Sequence, residues 1–269
     1  MSTILEDADV AAILVLLSPE RLFALTALTG STRTAIELHQ QTLDLNAELM
    51  TVTASIELAL RNTVDKNLTA YFGTPGWLSH PPAPFQWKAI ENNNAKKVLD
   101  SARRAAYSKL SQADKAQLDL RAFPNGRPPN TSHLKRAVRR REQIAVSDGK
   151  IIAETTLYFW KRLYSAHYEQ TLWRTTLKKT FPNKKTKRAA VAERLEALYQ
   201  SRNRLAHHEP VLHKRFEDCV ASIAFVSENL GSETPSKATP LAKLIAPALQ
   251  EVKDKADALH ARLAAFRQS

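Results

Sequence analysis

The 269-residue chain has a single cysteine, Cys219. One thiol excludes an internal disulfide framework and any zinc site built from cysteine, and it fits a reducing, cytoplasmic setting. Glycine is also scarce, with six residues at positions 30, 73, 76, 126, 149 and 231. There is no Gly-rich phosphate loop and no G-x-S-x-G elbow, so nucleoside-triphosphate hydrolysis and serine hydrolase chemistry have no motif to stand on. The longest early apolar run, Val10 to Leu17, is eight residues long, against roughly 20 for a membrane-spanning helix. Glu6, Asp7 and Asp9 precede or open it where an export signal would be basic. A soluble protein without a membrane partner is expected.

Acidic residues are in deficit. Lys and Arg number 39 against 27 Asp and Glu, a net charge of +12. That balance favours a polyanionic partner, nucleic acid first and an acidic membrane surface second. Hydrophobic residues at 43% and charged residues at 25% exclude wholesale disorder. His39, His80, His133, His167, His213 and His260 are scattered without close metal-ligand spacing. The adjacent pair His207 and His208 diverges by about 100° on a helix, which is poor chelate geometry. No metal and no cofactor are expected.

Apolar residues recur at helical spacing almost throughout, with no run of alternating β-branched residues, so the fold class is all-α. A proline-free segment from about Thr34 to Phe72 is predicted as one long helix, with Leu43, Leu45, Leu49, Val52, Ile56, Leu60, Val64 and Leu68 as its apolar positions. Loops are expected at 73–84 and 124–130, rich in Gly and Pro, and helices at 86–110 and 131–144. An aromatic helix begins near Ser147 and runs to Pro182; Tyr158, Phe159 and Trp160 could stack bases if exposed, but core packing is expected of them. Helices at 188–208 and 213–230 follow. Residues 231–240 have linker composition. Beyond them Ile245, Leu249, Val252, Ala256, Leu259, Leu263 and Phe266 are spaced as a heptad seam. Residues 1–230 are thus read as a helical domain, 231–240 as a linker and 241–269 as an amphipathic helix that either packs on the body or dimerises.

The chemistry gathers in Ser201 to Pro210, SRNRLAHHEP. Arginine offers a permanently charged planar fork for phosphate, and histidine both accepts and donates a proton near neutral pH. Together they suit cleavage of a phosphodiester. Asn203 and His207 are i and i+4, close enough for the amide to orient the imidazole. Arg202 and His207 are i and i+5, about 140° apart on an ideal helix. Convergence therefore needs a distorted helix end, a long reach by the arginine, or two copies of the segment facing each other.

Arg202-Asn203-x-x-x-His207 resembles the R-x4-H motif of the HEPN superfamily. Asn203 and the following His208-Glu209-Pro210 are similar to its abortive-infection (Abi-like) branch. The likeness extends to Ser18-Pro19-Glu20-Arg21-Leu22, to Ile56-Glu57-Leu58-Ala59-Leu60-Arg61-Asn62, and to Gly73 through Trp77-Leu78. It continues in Gly149 to Glu154, Phe159-Trp160, Tyr168-Glu169 and Leu172-Trp173-Arg174, and so covers about Ser18 to Leu230. The resemblance implies a HEPN-like helical bundle, metal-independent endoribonuclease activity, and a homodimer that forms the site. Biology of phage-defence or toxin type is implied too, with an antitoxin protein or regulatory RNA as a further partner. The C-terminal extension lies outside it.

On that basis Arg202, Asn203, His207 and His208 are the candidate catalytic residues, although His208 reads equally as a surface histidine at a helix end. Glu57, Arg61 and Asn62 are either supporting residues or a local ion pair and hydrogen bond. Two basic clusters are candidates for contacting RNA phosphates: Lys135, Arg136, Arg139 and Arg140, with Arg141 beside them, and Lys184, Lys185, Lys187 and Arg188, with Lys178 and Lys179 nearby. Either is equally readable as a solvated basic surface. Two rivals stand beside the enzyme: a non-catalytic RNA- or nucleotide-binding module acting with a partner protein or regulatory RNA, and an interaction protein assembled through the C-terminal heptads.

Overall fold

The longest element is a 41-residue helix, α3 (Thr32–Phe72), that contains neither proline nor glycine. It stops where Gly73 takes a positive φ of 70° and its N–H closes on the Thr69 carbonyl at 2.9 Å. This left-handed ending is one that glycine adopts without steric cost. The chain is described here by a computed structural model covering residues 5–268. Among the described residues no strand occurs. The other helices are α1 (Asp7–Leu17), α2 (Pro19–Thr29), α4 (Ala89–Ser108), α5 (Gln112–Ala122), α6 (His133–Glu142), α7 (Asp148–Ala153), α8 (Leu157–Arg162), α9 (Arg188–Ala206), α10 (Lys214–Asn229) and α11 (Pro240–Gln268). None is long and apolar enough to cross a membrane.

Contacts divide the chain into two compact units, residues 1–59 with 193–269 and residues 60–192, so α3 and α9 run from one into the other. In the first unit Leu38, Leu45, Leu49, Val52 and Ile56 of α3 are buried, as are Leu195, Leu198 and Leu205 of α9 and Ile223 and Val226 of α10. Burying one such side chain contributes about 1.5–3 kcal/mol relative to leaving it in water. Leu43, predicted for the same stripe, is only half-buried. The helix α2 starts on Ser18, whose hydroxyl accepts from the Arg21 N–H, with Pro19 in its first turn.

The C-terminal helix belongs to this unit. Its seam residues Ile245, Val252, Ala256, Leu259 and Leu263 are buried within the single chain, where α11 packs against α10 and α2. Lys255 pairs with Glu48 at 2.9 Å and Arg262 with Glu37 at 3.1 Å, tying it to α3 as well. The seam thus lies against helices of its own unit.

In the second unit Trp77, Phe85, Trp87, Phe159, Trp160 and Tyr168 form an edge-to-face aromatic cluster. Phe159 and Trp160 are thereby buried and Tyr158 half-buried. The fully buried Glu91 carboxylate accepts from Arg162 at 2.7 Å and from the Tyr168 hydroxyl at 2.8 Å. The aromatic helix expected from Ser147 to Pro182 is broken. After α7, the Thr155 N–H and hydroxyl both close on the Ile152 carbonyl, at 3.1 and 2.6 Å. Past α8 the chain continues as 3-10 turns (Ala166–Tyr168 and Leu177–Thr180) around a π turn (Glu169–Trp173). Helix α5 was not foreseen as a separate element; Ser111 caps it by accepting from the Asp114 N–H at 3.1 Å.

Candidate functional site

The segment SRNRLAHHEP lies in the first unit, and its last four residues leave the helix. Helix α9 ends at Ala206. The Glu209 N–H donates back to the Arg204 carbonyl at 2.9 Å and the His208 N–H to the Leu205 carbonyl at 3.0 Å. That pair of bonds is the Schellman ending, in which one residue takes the left-handed conformation. Here it is His208, at φ 55°. Glycine usually fills the position because a Cβ in it costs about 1–2 kcal/mol. The end of the helix is thus turned away from ideal helical geometry at His208, while no contact between the Arg202 and His207 side chains is seen among the described residues.

Three side chains hold this turn, two from other helices and one from α9 itself. Arg21 of α2 donates through Nη1 to the His208 carbonyl at 3.3 Å. Asn46 of α3 donates through Nδ2 to the Glu209 carbonyl at 3.1 Å. Arg204 pairs with the Glu209 carboxylate at 2.9 Å and its Nε donates to the Pro210 carbonyl at 3.3 Å. His207 stands exposed just beyond α9, its N–H shared between the Asn203 and Arg204 carbonyls at 3.1 Å each. The only link between Asn203 and His207 is this backbone bond, and no hydrogen bond joins the two side chains among the described residues. The orienting role expected of the Asn203 amide is not seen.

Glu57 and Arg202 are brought together. The Arg202 Nε stands 3.8 Å from the Glu57 carboxylate, which is largely buried while the arginine remains part-exposed. Glu57 therefore turns toward the R-x4-H helix. The local pair expected with Arg61 is not formed among the described residues, and Arg61 instead directs its Nε to Asn62 at 3.3 Å. Arg61 and Asn62 belong to the second unit, one turn further along α3. The buried Cys219 thiol meets Ser201, the residue before Arg202, and Thr53; burial pushes it up to about 11, which disfavours the nucleophilic thiolate.

No family profile, curated protein or solved structure matches this chain. The site is therefore read on its own geometry.

The basic clusters, both in the second unit, separate into two kinds. Arg136 and Arg140 clamp the Asp119 carboxylate between them, and Arg140 also donates to the Tyr107 hydroxyl at 3.2 Å. Hydrogen bonds from Arg136 and then Arg140 hold the Asp119 carboxyl well below the usual carboxylate range. Arg141 is buried against Asp100, and Arg139 pairs with Glu142 at 3.2 Å. Of that cluster Lys135 alone has no ion pair among the described residues. In the second cluster Lys178 donates to the Asn183 and Thr186 carbonyls, and Arg188 pairs with Glu169 and donates to the Tyr164 carbonyl. Lys179, Lys184, Lys185 and Lys187 are exposed. Charge counting in the sequence sees all of these cations alike; the fold engages about half of them with acceptors of its own.

Arg21, Asn46 and Arg204 had no assigned role in the sequence, although Arg204 lies inside the motif and Arg21 in a segment of the resemblance. A signal for Asn46 was present: His39, Thr42 and Asn46 are polar residues at i, i+3 and i+7 of α3, and all three are buried. No group of three or more His, Cys, Asp or Glu among the described residues is arranged to hold a metal ion.

Proposed function

We propose that the chain is a metal-independent endoribonuclease of abortive-infection or toxin type, with Arg202 holding the scissile phosphate and His207 transferring protons. The observation that carries this reading is the turn after α9. It leaves the His207 imidazole exposed, with no side-chain hydrogen bond among the described residues, five positions after the part-exposed Arg202, and Arg21, Asn46 and Arg204 hold the turn in a strained, defined conformation. Non-glycine residues kept in disfavoured backbone conformations cluster at functional sites. The chemistry suits RNA: the 2′-hydroxyl attacks the adjacent phosphorus, His207 takes its proton, and the leaving 5′-oxygen is protonated in turn. The products are a 2′,3′-cyclic phosphate and a 5′-hydroxyl. Arg202 neutralises charge developing on the phosphorane, and Glu57 limits where its guanidinium can swing. DNA lacks the nucleophile and is not cut.

A homodimer is part of the reading. Val15 (75% exposed), Leu16 (83%) and Phe23 (72%) leave an apolar surface on α1 and α2, and α2 is the helix that supplies Arg21 to the turn. A second copy on that surface would bring a second R-x4-H segment toward the first. The exposed Lys184, Lys185 and Lys187 supply cationic surface for RNA.

The test is cleavage of total cellular RNA in EDTA by wild type, Arg202→Ala and His207→Ala, with end-group analysis. Cyclic-phosphate and 5′-hydroxyl ends from wild type alone support the assignment. Salt-sensitive RNA binding without cleavage by any of the three favours the non-catalytic binding module acting with a partner protein or regulatory RNA.

A further inference from the structure

Of the three arginines at the turn, Arg21 is without a counter-ion among the described residues. Arg204 is neutralised by Glu209 at 2.9 Å, and Arg202 leans on Glu57 at 3.8 Å. Arg21, exposed on α2, has no carboxylate within ion-pair distance among the described residues. Its one hydrogen bond there is from Nη1 to the neutral His208 carbonyl. The carboxylate of the turn itself, Glu209, is taken by Arg204. Asn46 is neutral, nine-tenths or more buried, and its Oδ1 has no partner. His39 is buried with its Nδ1 unpartnered, and burial and then the charge on Arg21 itself hold its imidazole below the usual range. A guanidinium carries five donors in a rigid fork. With one donor engaged on the backbone of the turn, the others are available to an anion lying beside His207 and His208.

We infer that Arg21 is a phosphate-binding residue of the site. It contacts an RNA phosphate next to the one held by Arg202 and so fixes the path of the strand across the turn. This rests on the ribonuclease reading and adds to it a residue from α2, 181 positions before Arg202 in the chain. The alternative for Arg21 is a positioning role alone, through the His208 carbonyl. The two differ in charge: positioning needs a donor, whereas phosphate contact needs a cation that displaces a counterion.

The experiment reads that difference in the salt dependence of binding. All variants are made in a His207→Ala background so that the RNA stays intact, and binding of a labelled single-stranded RNA is followed by anisotropy across a NaCl series. Each phosphate neutralised on a single strand contributes about 0.7 to the slope of log K against log salt. Arg21→Gln keeps a donor for the His208 carbonyl but removes the charge, and is expected to lower the slope by about 0.7. Arg21→Lys is expected to keep it. Lys243→Gln, an exposed lysine in the first turn of α11, at the opposite end of that helix from the residues that meet His213 and Glu37, controls for mere loss of net charge and is expected to leave the slope unchanged. An unchanged slope in Arg21→Gln, or an equal fall in Lys243→Gln, overturns the assignment while leaving the ribonuclease reading intact. If the parent protein does not bind RNA and wild type does not cut it, the ribonuclease reading fails and the assignment of Arg21 fails with it.

Discussion

Replacing His208 by glycine should separate what the turn does for stability from what it does for activity. His208 holds φ at 55° as the left-handed residue of the α9 ending, and its side chain is exposed. Relieving the Cβ clash is worth about 1–2 kcal/mol, and the greater freedom of glycine in the unfolded chain returns about 0.5–1 kcal/mol of that. The net expectation is a gain of about 0.5–1 kcal/mol. His208→Ala, which keeps the Cβ, should show no gain. Urea denaturation followed by far-ultraviolet circular dichroism resolves the difference as a higher midpoint at unchanged slope for His208→Gly only. If the imidazole acts in proton transfer, His208→Gly and His208→Ala should both cleave RNA more slowly, so one variant is at once more stable and less active. Equal midpoints for the two variants, or a lower midpoint for the glycine variant, would refute the strain argument whatever the activities.

Two further predictions concern charge. His260 stacks on His213 at 5.1 Å and meets Phe216 edge-on, and its Nε2 accepts the His213 N–H at 3.4 Å. Burial first and then the charge of His213 hold it below its usual range, against the opposing pull of Asp257 and Glu217. A folded-state value below the unfolded one means that its contribution is whole above about pH 6.5, the unperturbed value, and is lost as pH falls below it. Stability measured from pH 7.5 to 5.5 should therefore fall more in wild type than in His260→Phe, and parallel curves would count against it. Among the basic clusters, Lys184→Gln, Lys185→Gln and Lys187→Gln should each lower the salt slope of RNA binding. Arg136→Gln and Arg140→Gln should not, because Asp119 already engages those guanidinium groups. Equal effects from both sets would mean that the ion pairs open on binding.

Much of the secondary structure was legible because helix signals are local. The long proline-free stripe of α3, the loops rich in proline and glycine, and the heptad spacing of α11 all operate within a few residues. The aromatic helix expected after Ser147 is instead divided into α7, α8 and short turns, although its apolar spacing is helical. Periodicity registers which residues are apolar, and Phe159, Trp160, Tyr168, Leu172 and Trp173 are buried although short turns carry several of them.

The sequence by itself determined the fold class, the basic excess, and the run of arginine, asparagine and histidine that ends α9. Tertiary structure alone decided which cations remain available and what holds the turn. Arg21 and the His208 carbonyl are 187 positions apart, and Asn46 and the Glu209 carbonyl 163. Glu57 could have paired along its own helix and instead meets Arg202 on another. The physical reason is range. A helix is fixed by neighbours three and four residues away, whereas ion pairs and carbonyl contacts between helices depend on which faces the core brings together, and no spacing within the chain encodes that.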